Sequence, residues 1–349
     1  MLRGDAGFQD AAKKSKLPTY TPQMSRLINR AAATFAFLAV LSTTPAWGWG
    51  RDGHMMINYL GAKYLPHDVP AFLRNGNALD IMNGLGPQPD RLLHRDSEPE
   101  LYDEQSPDHY LNMESAEMAE VPCTIGTPDC GADGKMYPKR RYDFIRGLAA
   151  AQAQHPDLRL TPQEVGMQPW EVEETWQKLK VDFRQYRQLL AANDDLAPIE
   201  TVILYNAARL GHFVADGSQP LHTTIQYNGW TGPNPNGYTT EHHIHSQFES
   251  VYVSANIKRD DVAPLVAASQ PTGIDDEWRQ YMDYLNHSNS LVERVYQLDK
   301  AGGFTGAGTP EAKAFTDQQL AAGAIELRDL IYSAWVHSAD PVQQYHGPQ

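Results

Sequence analysis

The chain has 349 residues, of which 29 are Lys or Arg and 43 are Asp or Glu, so its formal net charge is −14. This acidity excludes a protein that holds a polyanion on a broad basic surface, because such binding depends on counterion release. Beyond residue 50 no apolar run approaches the roughly 20 residues that a membrane-spanning helix needs, which excludes a polytopic membrane protein.

Residues 1–48 have the composition of a leader. From Met24, a basic segment is followed by an apolar segment over residues 31–41 and then by small residues. This order is typical of a signal peptide, whose apolar segment is too short to span a membrane. We therefore predict a start at Met24, export to the periplasm or the medium, and cleavage before Trp49, with cleavage before Trp47 as the alternative. Loss of the leader would change the net charge to −18.

Two segments of the mature chain are predicted to lack regular structure before the first long helix. Residues 83–108 are rich in Pro, Gly, Asn and Asp, which favour loops. Cys123 and Cys130 lie in a short segment that contains Pro and Gly. In an exported protein, a local disulfide between them is favoured over a metal site.

Helical periodicity dominates the rest of the chain. Apolar side chains recur at spacings of three and four, which predicts amphipathic helices. Thr309 and Pro310 suit the N-cap and the first position of the last helix. A second loop is predicted over residues 227–240, and the best strand candidate is the short run Val251–Tyr252–Val253. The predicted helices cover residues 142–152, 169–192, 198–216, 278–298 and 309–336.

Two pairs of a histidine and a carboxylate share a spacing of four residues. His212 and Asp216 end a predicted helix, and His245 and Glu249 repeat the arrangement. Four residues make about one helical turn, so each pair projects from one face of its helix. A turn after the first pair leads to His222. Imidazoles and carboxylates are ligands that zinc accepts without sulfur, and helical proteins build such sites from inward side chains.

Each pair taken alone has a simpler interpretation. A histidine one turn before a carboxylate is often a structural hydrogen bond or a solvated surface pair. His242 and His243 are further imidazoles close to His245. The metal hypothesis therefore depends on the joint pattern with the start of the mature chain, Trp-Gly-Arg-Asp-Gly-His over residues 49–54.

With that start, the pattern resembles the trinuclear-zinc superfamily that joins bacterial phospholipase C to the single-strand-specific nucleases of the S-one and P-one type. The resemblance runs in order from Trp49 to Glu249 and includes Asp90 and His109. Its most specific part is His-x3-Asp-x5-His with Gln-Pro-Leu inside it, followed by His-x3-Glu. It implies an all-α, multi-helix single domain over residues 49–349, with long loops around a trinuclear zinc site.

The resemblance also implies three zinc ions. Their ligands are imidazoles, carboxylates, and the amine and carbonyl of the first mature residue. A free α-amine has a pKa of about 8, low enough to bind a metal near neutral pH. The ligands divide into three sets: Asp90, His109, His212 and Asp216; Trp49, His54 and a bridging Asp216; and His222, His245 and Glu249.

The chain departs from the family in three places. Asn112 stands where the family often has Asp, three residues after a ligand histidine. The stretch from His109 to His212 is longer than in the family, which predicts an inserted excursion around residues 115–195. The nucleases place an arginine one turn after the ligand aspartate, and His94-Arg95 is a possible replacement.

Three aspartates are candidates for the carboxylate ligand that precedes His109 in the chain or lies beside it. Asp90 is favoured, with Asp96 and Asp108 as rivals. Zinc lowers the pKa of bound water to about 7, so a zinc-bound hydroxide would attack the phosphorus of a phosphodiester in line. By analogy with the family, Asp90 would orient or deprotonate that nucleophile.

The substrate class is open between nucleic acid and phospholipid. Tyr227, Trp230 and Tyr238 lie in the long loop between two ligand histidines and are either base-stacking residues or packing anchors. The opening segment and this loop resemble the nucleases, whereas Glu249 in place of Asp resembles phospholipase C. We therefore predict an exported zinc phosphodiesterase acting on single-stranded DNA or RNA. Phospholipase C and a non-catalytic zinc-binding protein are the alternatives, and no stable protein partner or transmembrane anchor is implied.

Overall fold

A computed structural model describes residues 49–120 and 137–342 of the protein. The predicted signal peptide and its cleavage site lie outside the described residues. Cys123 and Cys130 lie outside them as well. Export and the disulfide therefore stay predictions.

The described part of the chain is mostly helical, which confirms the all-α prediction. Beside the α-helices there are short 3-10 helices at Ala71–Arg74, Pro89–Leu92, Ser106–His109 and Pro220–Thr223, and a π-helix at Gln247–Tyr252. Within the described residues, β pairing is limited to two isolated bridges, Leu111 with Gly166 and Tyr227 with Gly229. The α-helices are α1 (Gly50–Lys63), α2 (Gly76–Leu85), α3 (Pro99–Gln105), α4 (Met113–Met118), α5 (Arg141–Gln154), α6 (Pro162–Val165), α7 (Gln168–Ala192), α8 (Ala197–Ser218), α9 (Ile244–Ser246), α10 (Val253–Asn256), α11 (Arg259–Ala268), α12 (Glu277–Ser290), α13 (Val292–Lys300) and α14 (Pro310–His337).

Helix α8 is the centre of the core. It packs against α1, α2, α7 and α14, and α14 in turn packs against α1 and α7. The helices approach closely where α8 carries Gly211, since a Cβ there would lie 2.7 Å from the side chain of Leu327 on α14. Trp176 of α7 is buried and donates a hydrogen bond from Nε1 to the carbonyl of Leu330, 3.1 Å away. These contacts hold α8, whose C-terminal half carries His212 and Asp216, in a rigid apolar environment.

Most predicted helices agree with the structure to within two residues. The predictions over 142–152, 169–192, 198–216 and 309–336 correspond to α5, α7, α8 and α14. Thr309 is the N-cap of α14 as predicted, and its side chain accepts a hydrogen bond from the amide of Ala312. Periodicity succeeds here because each helix buries one continuous apolar face.

The helix predicted over 278–298 is in fact two helices. Helix α12 ends at Ser290 and α13 begins at Val292. At Leu291 the amide donates to the carbonyl of Ser288 and ψ is −1°, so the α-helical pattern is interrupted. Both halves bury their apolar residues in the same core, and for that reason the periodicity alone did not reveal the break.

The strand candidate at 251–253 is wrong. These residues end the π-helix and begin α10. Phe248 and Tyr252 are both buried and four residues apart, whereas Val251 is 56% exposed. Burial of one helical face outweighs the strand preference of the two valines.

The loop predicted over 83–108 is largely helical. It contains the end of α2, a 3-10 helix at Pro89–Leu92, helix α3 and the start of the 3-10 helix at Ser106–His109. Each of the last three elements has a proline within its first two positions, where the missing N–H breaks no hydrogen bond. The loop predicted over 227–240 contains no helix, as expected.

Two further predictions bear on the fold. Within the described residues, no helix is both long and apolar enough to cross a membrane. Helix α7, which lies inside the predicted excursion at 115–195, packs against α8 and α14 and so belongs to the core. Whether that segment is inserted relative to a family stays a prediction.

Candidate metal centre

The buried end of α8 supplies two of the predicted ligands. His212 and Asp216 lie one turn apart on α8, and both side chains are fully buried. After α8 ends at Ser218, the 3-10 helix Pro220–Thr223 turns the chain back and buries His222. The sequence does this locally because proline at the first position begins the 3-10 helix while Gln219 caps it, accepting a hydrogen bond from the amide of Leu221.

Asp216 lies between histidines from two other parts of the chain. Its Oδ1 is 3.3 Å from Nε2 of His54 on α1, and its Oδ2 is 3.1 Å from Nδ1 of His109. The same Oδ2 is 3.4 Å from Nε2 of His212. The carboxylate thus faces ligand atoms on both of its oxygens, which is the geometry that a bridging ligand requires.

Asp90 approaches the same histidines from the solvent side. Its carboxylate oxygens lie 3.8 Å from His54, 3.8 Å from His109 and 3.7 Å from His212. Its side chain is 21% exposed, whereas that of Asp216 is fully buried. Asp90 is therefore the carboxylate of this group that water and a ligand can reach.

The two rival aspartates lie elsewhere. Asp96 is exposed. Asp108 is buried but is paired with Arg141, at 2.5 Å between Oδ1 and Nη2. The structure thus places Asp90, rather than either rival, among the ligand histidines.

A second group is formed by His222, His245 and Glu249. Nε2 of His245 is 2.7 Å from Oε2 of Glu249 and 3.1 Å from Nε2 of His222. His222 Nε2 is 3.6 Å from the same oxygen. Although His245 lies on α9 and Glu249 in the π-helix, the predicted spacing of one turn brings them together.

Three of the histidines are oriented by main-chain carbonyls. Nδ1 of His212 donates to Gly86, and Nδ1 of His245 donates to Tyr227, at 2.9 and 3.0 Å. Nδ1 of His222 donates to His109 at 2.6 Å. Because a carbonyl oxygen only accepts hydrogen bonds, the proton of each neutral ring is on Nδ1 and the lone pair of Nε2 faces the cluster.

Close backbone approach makes one of these contacts possible. A Cβ on Gly86 would lie 2.7 Å from the carbonyl of His54 and 2.9 Å from the side chain of Asn58. Only glycine at position 86 therefore lets the C-terminal end of α2 come close enough to accept the hydrogen bond from His212. The sequence motifs did not point to Gly86, since a glycine at the end of a helix is common for other reasons.

Burial shifts the pKa values of the cluster. It raises the pKa of Glu249 to about 8 and lowers that of His245 to about 4. Burial and the negative charges of Asp216 and Glu249 raise the pKa of Asp90. The pKa of Asp216 is lowered because attraction by His212 and other histidines outweighs its burial. The pKa of His212 is lowered by burial.

These side chains fit a bound cation. Buried ligand atoms of His54, Asp90, His109, Asp216 and Glu249 have no hydrogen-bond partner in the described part of the chain. Lone pairs and carboxylate oxygens therefore face one another at short range, which is unfavourable without a proton or a metal between them. Three triads could hold a metal ion, and the first two share His212: His54, Asp90 and His212; His109, His212 and Asp216; and His222, His245 and Glu249.

Trp49 lies next to both groups. Its ring is fully buried, donates from Nε1 to Oγ of Ser218 at 2.6 Å, and packs edge-on against Phe248 with ring centroids 5.1 Å apart. Ser218 and Phe248 are close neighbours in sequence of Asp216 and Glu249. The predicted chelation by the amine and carbonyl of Trp49 stays a prediction.

Gln219 is a site residue that the sequence interpretation missed. Its Nε2 donates to Oε2 of Glu249 at 3.0 Å, and its Oε1 accepts from the amide of Leu221 at 2.7 Å. It therefore orients a ligand and caps the turn that carries His222. The available signal was its position between two ligand motifs, directly before Pro220.

Asn112 stands where the family often has Asp. Its side-chain amide donates a hydrogen bond to the carbonyl of Glu164.

An open cleft of about 290 Å³ leads to the second group. His222 and His245 line it, together with Tyr227, which is 48% exposed. Of the three predicted stacking residues, Tyr227 alone is brought to this cleft.

Trp230 and Tyr238 are packing anchors. Their rings lie 5.1 and 5.6 Å from that of Tyr296, and the hydroxyl of Tyr238 donates to Glu293 at 2.7 Å. Tyr238 is 7% exposed, so its ring is committed to the loop's own core. The loop holds these two rings because its many glycines and prolines supply little other apolar surface.

No protein-family model and no curated protein matches the chain. Its relation to the phospholipase C and nuclease superfamily therefore stays an expectation from the residues quoted above. The chemistry of the site accordingly rests on its donor atoms, charges and surroundings.

Proposed function

We propose that the protein is a zinc-dependent phosphodiesterase that hydrolyses single-stranded DNA or RNA. The observation that carries the proposal is the convergence of five buried histidines and three carboxylates in adjoining triads beside an open cleft. So many titratable groups are not buried together without a compensating cation. A cluster of this kind at a cleft is typical of a catalytic site.

The donor set favours zinc. Imidazole nitrogen and carboxylate oxygen suit zinc and exclude a site built for calcium or magnesium, which prefer oxygen alone. When bound, zinc supplies positive charge for a phosphate ester and lowers the pKa of water toward neutrality. Three zinc ions are part of the proposal, and Asp216, whose oxygens face His54, His109 and His212, would help to hold them.

The chain's own residues have separate tasks. The carbonyls that bind Nδ1 of His212, His222 and His245 hold each imidazole in one tautomer and one orientation. Asp90, the most exposed carboxylate of the cluster, accepts the proton of the attacking water.

The cleft favours a nucleic acid over a lipid. Tyrosines and polar side chains dominate its lining, and Pro107 and Leu221 are its aliphatic residues. The net charge of −14 opposes long-range attraction of a polyanion, but a metal cluster attracts one phosphate locally. Phospholipase C is the second candidate, and the observation that favours it is Glu249 in the position where the nucleases have Asp.

The test compares substrates with one protein preparation. Protein that begins at Trp49 and is loaded with zinc is assayed on single-stranded DNA, RNA and phosphatidylcholine. We expect release of nucleotides that a chelator stops. Asp216→Asn should lower the rate on the order of 100-fold or more, because it alters a bridging ligand. Asp96→Asn, an exposed carboxylate outside the cluster, is the matched control.

Each other outcome contradicts part of the proposal. Release of phosphorylated head groups without nucleotides would assign the site to lipids. Zinc binding without hydrolysis of any substrate would indicate a non-catalytic zinc protein. A zinc content of one ion per chain or less would refute the trinuclear centre.

A further inference from the structure

The cleft that reaches His222 and His245 also contains a cationic side chain, Arg95. Its walls include Arg95, Tyr102, Tyr110 and Tyr227, and His222 and His245 stand where it meets the second triad. A volume of about 290 Å³ lies at the lower end of the sizes found for small-ligand sites. The cleft therefore has room for more than the phosphate that the triads would hold.

Arg95 is held in place by an aromatic ring. Its guanidinium lies 4.6 Å from the centroid of Tyr102, and its Nη2 donates to the hydroxyl of Tyr102 at 3.1 Å. Tyr102 is 8% exposed and so offers a fixed surface. Stacking of this kind limits the rotamers of Arg95 before any ligand arrives.

Arg95 forms no direct ion pair in the described part of the chain. Within residues 49–120 and 137–342, no carboxylate oxygen lies within 4.0 Å of its guanidinium. Arg141 and Arg209, by contrast, are paired with the carboxylates of Asp108 and Glu171. Two carboxylates line the cleft with Arg95: Glu164, which is paired with Arg159, and Asp103. The free N–H groups of Arg95 therefore face the cleft as donors for an anion.

Arg95 acts at a different place from the triads. Arg95 forms no ion pair with any of the three cluster carboxylates. Because Arg95 lines the cleft together with His222 and His245 but is paired with none of the cluster carboxylates, it is available to a further anionic group of the same ligand.

Resting on the proposed function, we propose that Arg95 and Tyr102 form a subsite for a second phosphate of the substrate. This phosphate neighbours the phosphodiester that is held beside His222 and His245. An oligonucleotide carries such a phosphate on each side of every internal linkage. A phospholipid such as phosphatidylcholine has one phosphate, and the cleft lacks the aliphatic lining that acyl chains need.

The proposal predicts a preference that depends on one phosphate. The ligands are dinucleotides whose single linkage is an uncharged methylphosphonate, with no terminal phosphate, a 5′-phosphate or a 3′-phosphate. Binding is measured by calorimetry, which does not depend on hydrolysis. One of the two phosphorylated ligands should bind about tenfold more tightly than the unphosphorylated one, as expected for a charge-assisted hydrogen bond. Arg95→Gln should reduce that ratio to about one.

A matched variant and a second assay complete the test. Arg146→Gln alters an arginine that is 73% exposed on α5 and should keep the tenfold ratio. With cleavable dinucleotides, KM should show the same preference and the same loss in Arg95→Gln. Thermal melting confirms that both variants are folded.

Two outcomes would overturn the proposal. The first is that neither terminal phosphate tightens binding to the wild-type protein. The second is that Arg95→Gln weakens all three ligands equally, since Arg95 would then contact a group common to all of them. A phosphate-dependent ratio in a protein that hydrolyses no nucleic acid would support the subsite while refuting the proposed activity, so the two failures are distinguishable.

Discussion

His222 and His109 are joined through the main chain, although 113 residues separate them in sequence. Nδ1 of His222 donates to the carbonyl of His109 at 2.6 Å, and the amide of Leu111 donates to the carbonyl of His222 at 2.9 Å. The His109 side chain belongs to one triad and His222 to another. Two main-chain hydrogen-bond contacts therefore connect the turns that carry these two histidines.

Loss of a single imidazole should remove one metal. His245→Ala takes away the ligand that lies 2.7 Å from Glu249, so we expect about one zinc fewer per chain and loss of most hydrolytic activity. His242→Ala is the control, because His242 is exposed and lies outside the triads. Zinc is measured by mass spectrometry. Equal zinc contents in the two variants would contradict the assignment of His245.

Gln219 should act by positioning a ligand. Gln219→Leu removes the donor that orients Glu249 and also the acceptor that caps the turn before His222. We expect zinc affinity to fall about 10-fold to 100-fold, the range for partners that orient ligands. Competition with a zinc-binding dye measures this affinity. If affinity is unchanged while the melting temperature falls, Gln219 has a structural role alone.

Removal of metal should destabilise the fold. Without a cation, the carboxylates of Asp90, Asp216 and Glu249 repel one another in a buried site. A metal present at 100 times its Kd contributes about 2.7 kcal/mol, and each kcal/mol corresponds to about 2–4 °C in a domain of this size. Chelation should therefore lower Tm by about 5 °C or more. An unchanged Tm after verified removal of zinc would contradict this.

Glu326 should make stability depend on pH at a distance from the metal centre. Its side chain is 5% exposed, accepts from Gln280 at 3.2 Å, and has a pKa raised to about 8 by burial. Since the folded state binds this proton more tightly than the unfolded state, the contribution of Glu326 to stability is full below its unfolded pKa. This contribution to stability is lost as the pH rises through the pKa of Glu326 in the folded protein.

Glu326→Gln should therefore stabilise the protein selectively at alkaline pH. Relative to wild type, the gain should grow across the window from the ordinary pKa to about 8, on the order of 1 kcal/mol per pH unit. Urea unfolding at pH 5, 7 and 9 measures it. The exposed Glu100→Gln is the control. A constant difference between Glu326→Gln and wild type at all three pH values would refute the assignment.

The first mature residue can be tested by changing its amine and its ring separately. A protein that retains Gly48 has an amide at Trp49 instead of a free amine, so it should bind one zinc fewer. Trp49→Phe, beginning at the same residue, keeps the amine but loses the hydrogen bond to Ser218 and should lose about 1–3 kcal/mol of stability. If both proteins bind as much zinc as the natural one, the terminal-amine hypothesis is wrong.

Local pattern accounts for the parts of the fold that were predicted well. Helices α5, α7, α8 and α14 follow from apolar spacings of three and four, and Thr309 from its capping chemistry. The break at Leu291 and the helical state of residues 251–253 depend on how the segments pack. Neither is visible in a window of neighbouring residues, because the same apolar side chains are buried in either case.

The three candidate aspartates show that local sequence is equally insufficient to predict which carboxylate belongs to the site. Asp90, Asp96 and Asp108 are similar in sequence context, yet one faces three histidines, one is exposed and one pairs with Arg141. Which of the three aspartates joins the histidines is therefore decided by burial and by the residue that each one contacts in the folded chain. Likewise, Trp230 packs inside its loop while Tyr227 reaches the cleft.

The sequence by itself determined which donor atoms are available and which pairs of them share a helical turn. His212 with Asp216 and His245 with Glu249 are such pairs, because spacing along a helix is a local property. Only the tertiary structure decided which distant donors meet. It brought His54 and His109 to the two oxygens of Asp216, turned the imidazoles through main-chain carbonyls, and opened the cleft beside Arg95. Those arrangements depend on contacts between residues far apart in the chain, which packing of the whole core selects.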